Sequence, residues 1–246
     1  MLLRVLGSNG TYPTPDRPAS GYLVSEGDTT VWLDCGTGTF AAVLEIGGVD
    51  RIDALVISHV HGDHCLDALP LFNHLRATGR PPLRVIAPAG VSARLAAFAG
   101  AGPGHAFHRL LAFEEAGAGD SAEVGAISLE FGAAAHPVPA LVTAVIGDRR
   151  LVYSGDTGPG GDLGDIAAGA DVLLCEATLQ GAVPKDRYPY HLYAAEAGEI
   201  AANAGARHLI LTHLAPTLDP VVSLSEAAQA YKGPIDLAEA GREYEL

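Results

Sequence analysis

Ala54-Leu-Val-Ile-Ser-His59-Val-His61-Gly-Asp63-His64-Cys-Leu-Asp67 is the stretch whose reading decides the fold. Ala54 to Ile57 is an apolar run of the kind found in a strand buried on both faces. It stops at Ser58, and four side chains able to bind a metal follow within six residues: His59, His61, Asp63 and His64. Leu66, Leu69, Leu71 and Phe72 then have helical spacing, and a helix is predicted from Leu66 to Thr78. The cluster therefore belongs to a loop at the carboxyl end of a strand, where open α/β sheets keep their sites. Alternate residues leaving a strand point the same way, so His59 and His61 can converge on one ion. Asp63 and His64 follow a turn at Gly62 and can serve a second. Imidazole suits zinc, and a carboxylate adds charge.

Apolar segments of strand length recur along the chain, and most of them end on a candidate ligand or carboxylate. Leu2 to Leu6 leads into the irregular loop Gly7-Ser8-Asn9-Gly10, which makes Ser8 and Asn9 minor candidates for substrate contact. Gly21 to Ser25 and Thr30 to Asp34 read as a hairpin. Asp34, closing a buried strand, would be costly there without partners. It either orients a ligand histidine or caps the helix predicted over Thr39 to Ile46. Ile127 to Phe131 precedes His136, whose backbone is held extended by Pro137. Thr143 to Ile146 and Leu151 to Tyr153 form a second hairpin running into Ser154-Gly-Asp156-Thr-Gly158. Asp171 to Cys175 ends in Glu176-Ala-Thr178, and His208 to Thr212 ends at His213. Further helices are predicted over Val91 to Phe98, Tyr193 to Ala204 and Ser223 to Tyr231, with strands at Leu83 to Ala87 and Ile235 to Leu237. Glu114 to Glu123 reads as a solvated turn, and His105 and His108 have no assigned place.

Composition narrows the class. The 246 residues are 48% apolar, enough for a sizeable core, and no repeat or linker divides them, so one domain spanning 1–246 is expected. No apolar run reaches the roughly 18 residues a membrane span needs. The amino terminus is not read as a signal peptide, and a cytoplasmic protein is expected. Cys35, Cys65 and Cys175 have no disulfide spacing and read as reduced, buried residues, with Cys65 a minor candidate ligand. A net charge of −14 argues against extended nucleic-acid contact but not against a small anionic substrate beside metal ions. It leaves room for a homodimer.

The motif His59-x-His61-x-Asp63-His64 resembles the signature of the metallo-β-lactamase superfamily, and the resemblance runs over nearly the whole chain. It implies an α/β fold: an αββα sandwich of two mixed sheets with helices on the outer faces and a dinuclear site along one edge. His59, His61 and His136 would hold one divalent ion and Asp63, His64 and His213 the other, with Asp156 bridging. Zinc is the first expectation and manganese the second. Two such ions, about 3.5–4 Å apart, can share a hydroxide as nucleophile. The resemblance also makes Asp34 an orienting carboxylate.

Glu176-Ala-Thr178 followed by His191 is similar to the ribonuclease Z-like phosphodiesterase branch of the superfamily. That likeness implies that His191 assists the leaving group, with Glu176 orienting it and Asp63 counted among the catalytic groups. Lys185 and Arg187, just before His191, would face an anionic substrate. Asp156, where several true lactamases carry a cysteine, points the same way. Only 19 residues separate His136 from Asp156, too few for the long basic arm of transfer-RNA-processing members. Ala19-Ser-Gly-Tyr-Leu23, Cys65-Leu-Asp67 and Tyr153 to Gly158 are similar to compact phosphodiesterases, including bacterial enzymes acting on 3′,5′-cyclic nucleotides. The first expectation is therefore a dinuclear phosphodiesterase for small nucleotides. An RNA 3′-processing endonuclease, a lactone or thioester hydrolase and a non-catalytic binding protein remain as alternatives.

Overall fold

The computed structural model describes residues 1–246. The chain forms β1 (Leu2–Gly7), β2 (Gly21–Glu26), β3 (Thr29–Leu33), α1 (Thr39–Glu45), β4 (Ala54–Val56), α2 (Gly62–Cys65), α3 (Ala68–Thr78), β5 (Leu83–Ala87), α4 (Val91–Phe98), α5 (Ala106–Leu110) and β6 (Leu111–Glu115). It continues with β7 (Ser121–Val124), β8 (Ile127–Ala133), β9 (Leu141–Ile146), β10 (Arg150–Tyr153), α6 (Leu163–Ile166), β11 (Val172–Glu176), α7 (Ala194–Ala204), β12 (His208–Thr212), α8 (Pro220–Ala230), β13 (Ile235–Leu237) and β14 (Glu243–Glu245). One seven-stranded sheet runs β14-β1-β2-β3-β4-β5-β6 and the other β13-β12-β11-β10-β9-β8-β7. Both are mixed: β3 to β6 are mutually parallel, as are β10 to β13.

The layering follows from the two-residue period of a strand. In β3, Val31 and Leu33 face the space between the sheets, whereas Trp32 faces the helices. In and after β4, Ala54 and Val56 point inward and Leu55 and Ile57 outward. In β11, Val172 and Leu174 point inward, and Leu173 and Cys175 pack under the helices. Strands buried on both sides carry near-continuous apolar runs for this reason. The result is helices, sheet, sheet, helices, the expected αββα sandwich. No helix is long and apolar enough to cross a membrane.

Three local expectations need correction. Only 116–120 of the segment from Glu114 to Glu123 is turn. Its flanks are β6 and β7, the edge strands of opposite sheets, and the chain crosses between sheets there. Mostly exposed or half-buried edge residues give little apolar alternation to read. The helix expected from Leu66 begins at Ala68, as α3, and a separate short helix, α2, precedes it with Leu66 and Asp67 between. Asp67 Oδ2 accepts from the backbone N–H of Gly38 and Phe40, both at 2.8 Å, so the start of α1 is capped by a distant residue instead of by Asp34. Finally, β14 pairs with β1 through a three-residue segment in which only Tyr244 is buried, too short for a periodic signal.

Candidate metal centre

The donors converge because four strands end on the same rim. Ser58 and His59 follow β4, Asp156 follows β10, Glu176 closes β11 and His213 follows β12. His61, Asp63 and His64 come from the turn into α2 and its first residues. The backbone at Gly36 lies so close to that of Asp63 that a side chain at Gly36 would collide with the Asp63 carbonyl. His59, His61, His136 and Asp156 form one group of potential ligand atoms within 4.8 Å of one another, and Asp63, His64 and His213 form a second. His59 Nε2 lies 3.0 Å from His61 Nδ1, which lies 3.1 Å from His136 Nε2. His64 Nε2 and His213 Nε2 are 3.2 Å apart, and Asp63 Oδ2 is 3.2 Å from His213 Nε2. A tetrahedral site with bonds of 2.0–2.1 Å spaces its ligand atoms by about 3.3–3.4 Å, so these separations fit groups gathered around ions.

Asp156 stands between the groups. Its Oδ1 lies 3.1 Å from His64 Nε2 and 3.3 Å from His213 Nε2, whereas Oδ2 lies 3.7 Å from His59 Nε2. Oδ1 is buried yet has no hydrogen-bond partner. An unpaired buried carboxylate oxygen is costly, and a cation shared with the neighbouring imidazoles resolves it. The protonation pattern agrees. Burial lowers the pKa of His59, His61 and His136, which favours the neutral form that ligates. Asp63 and Asp156 pay desolvation, but the surrounding histidines outweigh it and hold both below the ordinary carboxylate range. His64 goes the other way. Burial opposes its charge, but Asp156 and Asp34 keep a proton on it that metal ligation through Nε2 would displace.

Two fully buried carboxylates fix these rings. Asp34 Oδ2 accepts from His64 Nδ1, Tyr153 OH and Ser58 Oγ, each at 2.7 Å, and Oδ1 accepts from Ser58 N at 2.6 Å. Ser58 Oγ in turn lies 3.0 Å from His59 Nδ1. Asp34 thus orients one histidine of each group, the first through a serine. It does so from a left-handed backbone (φ 55°), a conformation non-glycine residues rarely adopt and one held here by its partners. Glu176 repeats the device. It lies 3.0 Å from His191 Nδ1 through Oε1, and its Oε2 accepts from Thr178 Oγ1 at 2.7 Å. Thr178 Oγ1 is 2.8 Å from His213 Nδ1. The N–H groups of Thr157 and Leu192 also donate to Glu176. Burial lowers the pKa of His191, but the hydrogen bond and charge of Glu176 overcome it and raise it overall.

The flanking candidates divide. Ser8 Oγ donates to the Ala238 carbonyl, and Asn9 Nδ2 donates to Thr14 Oγ1 and the Arg17 carbonyl, so both pin the opening loop instead of facing the donors. It is Thr11 that reaches the site, through its N–H to Asp63 Oδ2 at 2.9 Å. Arg187 is bound to Glu196 and to the His191 carbonyl and lies over the Tyr193 ring, which ties down the loop carrying His191. Lys185 is exposed. Cys65 is not among the donors: its Sγ donates to the Val60 carbonyl at 3.3 Å, and burial pushes its thiol up to about 12. His105 caps α5 by accepting from Phe107 N, and His108 is exposed on that helix. Ser58, Tyr153 and Thr178 carry no role in the sequence reading. The only signal for them is a hydroxyl beside a motif at a strand end.

Asp34→Asn tests the orienting network. Oδ2 takes three donors, and an amide offers only one oxygen for both ends of the group, so at least one buried donor is left unpaired. Metal affinity should fall about 10–100-fold. Loss of about 1–3 kcal/mol of stability should lower Tm by several degrees. Chelator competition and thermal melting read the two effects. Wild-type metal affinity in the variant would remove Asp34 from the centre.

A sandwich of two mixed sheets with His and Asp donors gathered at the strand ends defines a metallo-hydrolase fold. The family model described as the beta-lactamase superfamily domain matches residues 29–214, and the chain belongs to the metallo-β-lactamase superfamily. It is 34% identical over 253 residues to an uncharacterised protein of Mycobacterium leprae, covering 99% of this chain and 88% of that protein. It is 32% identical over 245 residues to the ribonuclease Z of Mycolicibacterium gilvum, covering 88% of this chain and 85% of that protein. The crystal structure of the metallo-beta-lactamase fold protein YhfI from Bacillus subtilis matches with a TM-score of 0.88 and 24% identity, covering 100% of this chain and 99% of that chain. The fold and the ribonuclease Z-like kinship expected from the motifs are thereby established.

Proposed function

We propose that the chain is a dinuclear metal phosphodiesterase acting on small nucleotide phosphodiesters, with 3′,5′-cyclic nucleotides first. The observation that carries this reading is His191, fixed through Nδ1 by a buried carboxylate and set beside Asp156, whose Oδ2 approaches the first donor group and whose Oδ1 approaches the second. His59, His61 and His136 would hold one ion, Asp63, His64 and His213 the other, and Asp156 would contribute an oxygen to each. Bound there, zinc or manganese supplies Lewis acidity toward a phosphoryl oxygen and water activated for attack. The remaining work belongs to the chain. Asp34 and Glu176 hold the rings in orientation. His191, with Nδ1 bound to Glu176, presents Nε2 as the acid that protonates the departing ribose oxygen.

Substrate size follows from charge and from the connection after His136. Between β9 and β10 lies only 147–149, so no arm projects there, and the net charge is −14. Extended RNA needs basic surface. The 32% identity to a ribonuclease Z favours a second reading, an RNA-processing nuclease. The two separate on kcat/KM at physiological salt for 3′,5′-cyclic AMP, linear dinucleotides and precursor transfer RNA. Small diesters are expected to be preferred, and the opposite order would transfer the assignment to the nuclease.

A further inference from the structure

Beside the donors lies a column of aromatic rings whose outer member is exposed. His213 and His191 stack with centroids 5.7 Å apart and planes at 17°. Tyr188 continues the stack on His191 at 5.8 Å and 25°. Tyr190 meets Tyr188 edge-on at 5.4 Å and lies 6.2 Å from the His136 ring, whose Nδ1 is 3.3 Å from the Tyr190 carbonyl. Tyr188 nevertheless remains 55% exposed. A large ring held open to water, when the fold buries Tyr22 and Tyr153 completely or nearly so, is available to a ligand.

The loop is held in place. The Pro189 carbonyl lies so close to Gly158 that any side chain there would collide with it, and Tyr190 Cα is in tight reach of the same position. The loop thus rests directly on the turn that carries Asp156. Arg187 fastens it from the other side through the His191 carbonyl and Glu196. An aromatic face on a braced loop binds a planar partner with little ordering loss.

We propose that Tyr188 is a stacking platform for the nucleobase of the substrate. The inference rests on the phosphodiesterase reading, which seats the phosphate at the metal centre, and it adds a base subsite one ring beyond His191. Stacking is tolerant of base identity because every base offers a π-face. The subsite should therefore favour nucleotides over base-less phosphate esters and discriminate weakly among bases. A platform without hydrogen-bond readout also leaves little basis for choosing adenine over guanine.

The test compares two ligands of the metal-loaded protein by calorimetry: 5′-AMP and ribose 5-phosphate, which share sugar and phosphate and differ by the base. In the parent, 5′-AMP should bind about 5- to 150-fold more tightly, the range for one stacked base. Tyr188→Leu should bring this ratio close to one, and Tyr188→Phe, which keeps the ring, should preserve it. If Tyr188 only supports the loop, Tyr188→Leu will weaken both ligands alike and leave the ratio intact, which overturns the proposal. A parent ratio near one also overturns it while the phosphoester assignment stands. Failure of both ligands to bind the parent would sink the phosphoester assignment and the platform together.

Discussion

Asp156→Ala is expected to lower phosphodiesterase turnover by at least ~10³–10⁴-fold, the scale of several kcal/mol of lost transition-state stabilisation. The purified variant should retain less than one equivalent of metal where the parent is expected to retain two. Asp156 is the only side chain whose two oxygens face different donor groups, Oδ1 toward His64 and His213 and Oδ2 toward His59. Removing it subtracts a ligand from both. It also leaves three imidazoles in the first group with no carboxylate to offset the charge of an ion. Asp156→Asn separates charge from shape, since it keeps the volume but offers one acceptor oxygen and no charge. It should fall between parent and Asp156→Ala in metal content. Elemental analysis after reconstitution and dialysis measures the stoichiometry, and circular dichroism checks the fold. A parent holding one ion or none, or a fully active Asp156→Ala, would reject the dinuclear assignment.

The candidate donors were legible in the sequence partly because of how a strand ends, and for His136 and Asp156 through the family resemblance. An apolar run that stops at His or Asp has only one economical place for the polar residue, the rim, and the chain repeats that pattern at His59, Asp156 and His213. Strand ends also marked Asp34 and Glu176 as carboxylates that would be costly unpaired, but the residues left Asp34 open between orienting a histidine and capping α1, and the orienting role of Glu176 came from the resemblance. What could not be read was how each was paired. Asp34 reaches His64 across 30 residues and Tyr153 across 119, and Asp67 takes over the capping of α1 from 27 residues beyond Phe40. Such pairings depend on register between strands that local spacing does not encode. Arg187 in a loop before a candidate acid suggests anion binding, yet Glu196 one turn into α7 gives it a partner within the protein. Edge strands were missed where exposure removes the alternation that marks a strand, as in β6, β7 and β14.

His191→Ala separates catalysis from metal binding. The variant is expected to keep its fold and its metal while losing ~10²–10⁴-fold in kcat on ribose esters, the usual contribution of one positioned acid–base group. Three arrangements of His191 are chemically distinct. Its Nδ1 lies 3.0 Å from Glu176 Oε1, which suits an oriented acid. It also forms a potential donor group with Asp156 and His213, which suits a ligand. A side chain with no role would leave every measurement unchanged. As an acid it matters in proportion to the basicity of the leaving oxygen. The loss should then be largest for the ribose alkoxide of a cyclic nucleotide and much smaller for a nitrophenyl ester, whose leaving group needs little protonation. As a ligand, its removal should release metal and depress both substrates together. The Glu176 partnership adds a second arm. Glu176→Gln keeps volume and the oxygen for one donor but removes the charge that raises the His191 pKa, so it should reproduce part of the alkoxide-specific loss. Metal content, ribose-ester turnover and nitrophenyl-ester turnover on the same two variants decide among the three, and unchanged ribose-ester turnover in His191→Ala would remove it from the mechanism.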